Sequence, residues 1–559
     1  MSVQKNYIKA DQSPDTKKRH HVASSMNRRQ LLATSAAGAL SALFSGAPSF
    51  VAAQSGNGDA YSLVADWAHI DSQDYKLRAY NGQTPGPTLR VKQGETLKVN
   101  VKNVMGPNAP EEVCPANHNG YHGSNITNFH THGLHVSPNV SASGADSDNI
   151  FLQLLPDGQT YAGCNTTNLR ETVNNFEFDI RSDHPPGTFW YHAHKHGSTA
   201  RQVANGLLGP LIVEEPAGYY PDYISQATEQ GREDILIIQL RDLPPDEPGK
   251  GDPSGTLAIV RANPNGQGGG DRVDAASGGA ITMKRGEVRR LRFINAAPSV
   301  NAFVNLVPLG AEADKPEFWQ IAFDGLKLDR RYKVVDTGST DPWDNPAALA
   351  PGNRTDIMVR IPPDAQEGLF KLTNAQPRAE ILHGMSMLKA AEPLTLNIKI
   401  EGSLDQPDLW SDEDDLPGKV HPDLNPEGAI KRTVAFEFVD NSLGIDGELF
   451  SGKVKEPKMK LGTVGDWTVA NSTGFTHPFH IHVNPFFITH IRGEKLKEGD
   501  PRRRWQDTIA LPNEEINGDK PGTIRFLTKF ENFTGKFVIH CHILRHEDTG
   551  MMQAVEVVS

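Results

Sequence analysis

Ten of the chain's 21 histidines fall in four short clusters: His130-Thr-His132, His192-Ala-His194, His477-Pro-Phe-His480-Ile-His482, and His540-Cys541-His542 with His546 close behind. On a strand, residues i and i+2 project to one face, so each His-x-His pair can present two imidazoles side by side to a metal ion. A single pair is ordinary surface decoration. Four pairs, two towards each end of the chain, make a convergent set of eight nitrogen ligands. Between residues 216 and 476 only His383 and His421 occur, so the middle of the chain supplies no comparable cluster.

The last cluster carries a cysteine between its histidines. In extended backbone Cys541 projects away from His540 and His542, so one strand touches two different sites and gives electrons a short bonded route between them. A thiolate with two histidines and a weak axial methionine makes a blue copper site. Here His546 follows Cys541 by five residues and Met551 by ten, room for a loop that closes around one ion, with His477 as the remote second histidine. His477, read as lying on a loop beside Pro478 and Phe479, is the first choice for the edge that receives electrons, and His546 the second. Nothing resembles the His-Glu-x-x-His helix of a zinc hydrolase.

The elements that must position these residues read as strands. Gly94-Glu95 leads into alternating Leu97, Val99 and Val101 up to Asn103; Gly286-Glu287 leads to Asn295 and Gly465-Asp466 to Asn471 in the same manner, a period of about 180 to 190 residues. A second echo follows each: Gly187-Thr-Phe-Trp-Tyr runs into His192-Ala-His194, Gly535-Lys-Phe-Val-Ile into His540-Cys-His542, and Gly368-Leu-Phe-Lys-Leu into Thr373-Asn-Ala375. The middle copy keeps the framework and lacks the histidines. With 51 Gly and 39 Pro in 559 residues the composition suits a turn-rich β protein, and no long helix is indicated.

The formal charge of −12 is spread without long single-sign runs, so no nucleic-acid-binding footprint appears and a small-molecule partner is expected. Arg28-Arg29 followed by a small-residue apolar stretch to Val51-Ala-Ala53 reads as a twin-arginine signal, with the mature chain starting near Gln54 and no stable membrane insertion after cleavage. That predicts a periplasmic or secreted protein. Three cysteines exclude a disulfide scaffold. With Cys541 set aside as a ligand, Cys114 and Cys164 are either a disulfide, which needs an oxidising compartment, or two free thiols.

These motifs, all four in order across essentially the whole mature chain, resemble those of the multicopper oxidases, which include laccases and copper efflux oxidases. The resemblance implies an all-β fold of three consecutive cupredoxin-like Greek-key β-sandwich domains: 54–225 and 401–559 with copper ligands, 226–400 without, after a signal peptide at 1–53. It implies four copper ions. Type 1 copper falls to His477, Cys541, His546 and axial Met551; type 2 copper to His130 and His480; the type 3 pair to His132, His192, His194, His482, His540 and His542. Dioxygen is the implied acceptor, and Glu547 matches a carboxylate the family uses as a proton relay. Asp148 is a weaker candidate for that role, and His135, His196 and Met552 are expected not to be ligands. A small phenolic or aromatic electron donor is expected, because the ten methionines are not gathered into a methionine-rich insert beyond Met385 and Met387. A cuprous or ferrous donor is the alternative, and a copper-free envelope scaffold a third, disfavoured by the complete ligand set.

Overall fold

The computed structural model describes residues 60–70, 74–113, 115–160, 168–243, 255–299, 304–309, 316–335, 337, 342–374, 394–418, 424–513 and 522–559. The signal segment, Cys114, Cys164, Ala375, His383, Met385, Met387 and His421 lie outside them.

Strands dominate, and they form three pairs of sheets with one recurring topology. In each pair the opening strand runs parallel to the strand that carries the first sequence echo: Tyr61–His69 beside Thr96–Asn103, Glu233–Arg241 beside Val288–Asn295, and Ile430–Val439 beside Val464–Asn471. In the facing sheet a short early strand runs parallel to the last one: Leu89–Lys92 beside Leu208–Glu214, Ile281–Arg285 beside Thr395–Ser403, and Met459–Lys460 beside Met552–Val558. Parallel neighbours cannot be joined by a tight hairpin, so the chain crosses between facing sheets in every repeat, as a Greek-key sandwich requires. The all-β, cupredoxin-like fold is therefore as the sequence implied.

Each sandwich is filled by the inward residues of its alternating strands. In Thr96–Asn103, Leu97, Val99, Val101 and Asn103 are buried while the residues between them are mostly exposed. Separate cores gather around Phe129 and Phe176, around Phe293 and Phe318, and around Trp467, Phe479 and Phe526. A fourth cluster, with Trp190, Ile237, Ile294 and Leu544, draws on all three sandwiches and welds them together. The first two also share buried charges: Arg292 meets Glu215 at 3.0 Å, Glu233 at 2.8 Å and Asp356 at 3.2 Å. In the middle sandwich Thr373, at the histidine position of its neighbours, is buried and its hydroxyl lies 2.8 Å from that of Thr395, a satisfied core contact.

Among the described residues helices are short, the longest being Thr199–Asn205 and Asp222–Glu229. No helix among the described residues is long and apolar enough to cross a membrane.

Candidate metal centres

The first and last sandwiches each bring two histidine motifs together by strand pairing. His130–His132 pairs antiparallel with Gly187–His192, setting His130 opposite His192, and His477–Ile481 pairs with Gly535–Cys541, setting His480 opposite His540. Only the first motif lies wholly within a strand; His194, His482 and His542 follow the last strand residue. The rings of each pair nevertheless stay 5.8, 5.5, 5.0 and 5.5 Å apart. The two sandwiches then meet ring to ring. His132 stacks on His480 at 3.9 Å, His130 on His482 at 4.0 Å, and His194 approaches His540 edge-on at 4.9 Å. All eight side chains are buried.

The nitrogens sort into outward and inward sets. The outward ones are held by protein. His130 Nδ1 lies 3.0 Å from both oxygens of Asp148, His132 Nε2 3.2 Å from Asp507 Oδ1, and His192 Nδ1 2.9 Å from the Ala193 carbonyl. His480 Nδ1 lies 2.9 Å from both the Asp507 carbonyl and the Thr508 hydroxyl, and His540 Nδ1 3.0 Å from the Cys541 carbonyl. The inward set has no protein partner: His130 Nε2, His132 Nδ1, His192 Nε2, His480 Nε2 and both nitrogens of His542. His540 Nε2 meets only the Nε2 atoms of His194 and His482, at 3.3 and 3.2 Å. Burial, reinforced by neighbouring imidazoles, pushes His130, His132, His482 and His542 well below the usual histidine range, so they are neutral at pH 7 with a lone pair to give. A buried polar atom left unpaired costs about 1–3 kcal/mol, and a row of them is tolerable only if something else satisfies it. Cations do so, and buried all-imidazole surroundings suit copper.

On the opposite face of the same strand, Cys541 Sγ lies 3.4 Å from His477 Nδ1 and 3.7 Å from His546 Nδ1. Met551 is buried in the same core cluster, and its carbonyl accepts the Cys541 N–H at 3.1 Å while its own N–H donates to the His546 carbonyl at 2.8 Å. These two backbone bonds tie Met551 to Cys541 and His546. Two expectations are corrected here. His477 belongs to the strand His477–Ile481, pinned by its pairing with Thr508–Leu511, and His546 sits on the short helix Leu544–Asp548; neither is on an open loop. The order of the two exposed edges is also reversed. His477 has no exposed surface and its Nε2 is 2.8 Å from the Thr473 hydroxyl, whereas His546 keeps 9% of its surface. Phe475 packs against both rings, at 4.8 and 5.9 Å, and the 56% exposed Phe438 lies 6.1 Å beyond it.

Besides Asp507, two further carboxylates, Glu547 and Asp148, lie against outward nitrogens. Glu547 places Oε1 3.2 Å from His194 Nδ1 and Oε2 3.2 Å from His540 Nδ1, and accepts from the Thr199 hydroxyl at 2.9 Å. Burial raises its pKa. Asp148, the weaker candidate, holds His130 and accepts the Thr131 N–H at 2.8 Å, and burial pushes it up to about 7. His135 is spent on the Val483 carbonyl at 2.8 Å, His196 on Asn119 at 3.1 Å, and Met552 packs with Ile150 and Val538. Asp507, Thr508, Arg354 and Thr473 were not singled out by the sequence. Asp507 follows Trp505-Gln506 in a strand-like run with no motif around it, and Arg354 comes from the sandwich that has no histidine cluster.

Family comparison agrees with this geometry. Two family models, each described as multicopper oxidase, match residues 64–114 with 116–218 and residues 422–559, together more than half of the chain. The multicopper oxidase mco of Staphylococcus aureus is 24% identical over 486 residues, 86% of this chain and 83% of that protein. A laccase of Bacillus subtilis (strain 168) is 24% identical over 536 residues, 88% and 91% of the two chains. Among solved structures, a multicopper oxidase from Campylobacter jejuni described as a metallo-oxidase superposes with a TM-score of 0.60 at 22% identity, covering 89% of this chain and 91% of its own.

Proposed function

The chain belongs to the multicopper oxidase family and is an oxidoreductase, and from that premise we propose that it couples one-electron oxidation of small phenolic or other aromatic donors to the four-electron reduction of dioxygen to water. The observation that carries this is eight buried imidazoles converging from two sandwiches beside a thiol with two more. In our reading the three sandwiches are domains 54–225, 226–400 and 401–559. His477, Cys541, His546 and Met551 hold a type 1 copper; His130 and His480 a type 2 copper; His132, His192, His194, His482, His540 and His542 the type 3 pair.

Bound copper supplies one-electron redox steps and a place for dioxygen to be reduced. The protein supplies the rest. His546 offers the ring edge nearest to solvent, and Phe475 and Phe438 form an apolar aromatic step leading to it. Cys541 joins the two centres through its own backbone to His540 and His542. Glu547 and Asp148, both with pKa values raised by burial, can hold protons beside the outward nitrogens as oxygen is reduced. Export by the twin-arginine route to the periplasm or beyond is part of the same proposal.

The aromatic step favours a phenol over a metal ion, which would need oxygen or sulfur ligands at the surface. The test is oxygen uptake by the copper-loaded protein with a phenol, and separately with cuprous or ferrous ion. Uptake on the metal ions alone would reverse the choice of donor. Phe438→Ala should raise KM for a phenol about fivefold, the size of one aromatic contact, and leave KM for ferrocyanide unchanged.

Burial raises the Cys541 thiol far above its ordinary pKa, while burial with the nearby Arg545 charge holds His546 down to about 3. At neutral pH the metal-free site is thus a protonated thiol beside neutral imidazole, and one proton leaves when an ion binds as thiolate. Affinity at this site should rise about tenfold per pH unit between pH 5 and 8, measured as blue-band titration against a copper buffer.

A further inference from the structure

Resting on the reading of the histidine space as a copper cluster, we propose that Arg354, from the sandwich without a histidine cluster, is a positioning residue for that cluster. It acts through Asp507 on His132 and His480.

Arg354 is fully buried and its guanidinium grips Asp507 with both ends, Nη1 to Oδ1 at 2.9 Å and Nη2 to Oδ2 at 2.7 Å. A fork of this kind fixes the plane of a carboxylate as well as its place. The carboxylate so held lies 3.2 Å from His132 Nε2 and 3.5 Å from His480 Nδ1, one ring from each outer sandwich. Those two rings are one of the two stacked pairs across the seam, and the other nitrogen of each has no protein partner. Orientation of a ligand ring is set by what its far nitrogen bonds. The carboxylate therefore holds His132 directly and reaches His480 through the Thr508 hydroxyl, which donates to Asp507 Oδ1 at 2.8 Å and lies 2.9 Å from His480 Nδ1, and its own position is dictated from a third sandwich.

The guanidinium is itself over-determined. Its Nη1 donates to the Gly352 carbonyl at 3.1 Å, its Nη2 to the Asp324 carbonyl at 2.9 Å and its Nε to the Thr188 carbonyl at 3.3 Å. Asp324 in turn accepts the backbone N–H groups of both Asp507 and Thr508 at 3.1 Å. Gly133, directly after His132, makes room for the grip: its φ is +91°, and a Cβ there would fall 2.2 Å from Arg354 Nη2 and 2.8 Å from Asp507 Oδ2. The middle sandwich thus reaches the cluster with an arginine where its neighbours reach it with imidazoles.

The test compares Arg354→Lys and Arg354→Gln with Arg292→Gln, which breaks a different buried charge network between the first two sandwiches. All are loaded with copper and read by visible absorbance for the type 1 site, by electron paramagnetic resonance for the type 2 signal, and by copper-to-protein ratio. Arg354→Gln should keep the blue band per folded chain and lose at least half of the type 2 signal, with Arg354→Lys intermediate because a point charge cannot make the fork. Arg292→Gln should lower thermal stability and leave the type 2 signal intact. If Arg354→Gln cannot be obtained folded, Arg354→Lys alone decides, since an unaltered type 2 signal in it overturns the proposal. Equal losses of type 1 and type 2 signals in Arg354→Gln and Arg292→Gln would also overturn it, by reducing Arg354 to a general stabiliser. A wild-type protein with no type 2 signal at all would instead defeat the cluster reading on which the proposal rests.

Discussion

Cys541→Ser is expected to remove the blue colour and to lower turnover with a phenol by about 10³-fold or more, since a hydroxyl cannot replace the thiolate that defines such a site. The substitution changes little in volume, and the serine oxygen would keep His477 and His546 as neighbours, so the chain should still fold. Histidines that do not contact the thiol should be unaffected: their outward nitrogens are fixed by Asp148, Asp507, Thr508 and backbone carbonyls, none of which touches Cys541 Sγ. Copper at the imidazole cluster should therefore persist, giving a colourless protein with its type 2 resonance intact. The measurement is paired absorbance and resonance spectra on one sample. Retention of the blue band would show that the sulfur-bound acceptor lies elsewhere.

The strands and the imidazole seam were legible in the sequence because both are periodic. Alternation along Thr96–Asn103 and Val464–Asn471 exposes the sandwich walls, and the i, i+2 pairing of rings survives even where His194, His482 and His542 step past a strand end, with ring centroids still 5.0–5.5 Å apart. The second-rank partners were not legible. Asp507 meets His132 across 375 positions and Arg354 across 153. A lone acidic residue at the bend between Trp505–Gln506 and Thr508–Leu511 has no local pattern to mark it. The burial of His477 is likewise unmarked in the local pattern: the position pairs with Leu511, and the Thr473 hydroxyl four residues earlier covers its outer nitrogen. Glu547 is named by the position it shares with the resembled family and Asp148 by its place downstream of the first motif, yet what each touches comes only from the fold.

Glu547→Gln is expected to separate the two halves of the reaction. The carboxylate sits between His194 Nδ1 and His540 Nδ1, away from the thiol, so electrons from the donor should still bleach the blue band at the wild-type rate. Oxygen reduction also consumes protons, and Glu547 is a buried acid with a raised pKa lying between two outward nitrogens; the amide that replaces it can accept and donate hydrogen bonds but cannot hand over a proton. Recolouring by oxygen after anaerobic bleaching should slow by about 10²- to 10⁴-fold, the range for loss of a positioned acid. The pH dependence gives the sign. Burial raises the pKa values of Glu547 and of Asp148, the latter to about 7, so both lose their protons as pH rises and the wild-type recolouring rate should fall on the alkaline side. In Glu547→Gln the remaining slow rate should keep only the limb that belongs to Asp148, and Asp148→Asn in the same background should flatten it. Stopped-flow absorbance across pH 5 to 9 brackets the Asp148 limb near 7. Unchanged recolouring in Glu547→Gln would mean that the carboxylate only orients His194 and His540, and that protons reach the cluster from the Asp148 side, where a single imidazole and the Thr131 backbone are the groups in contact.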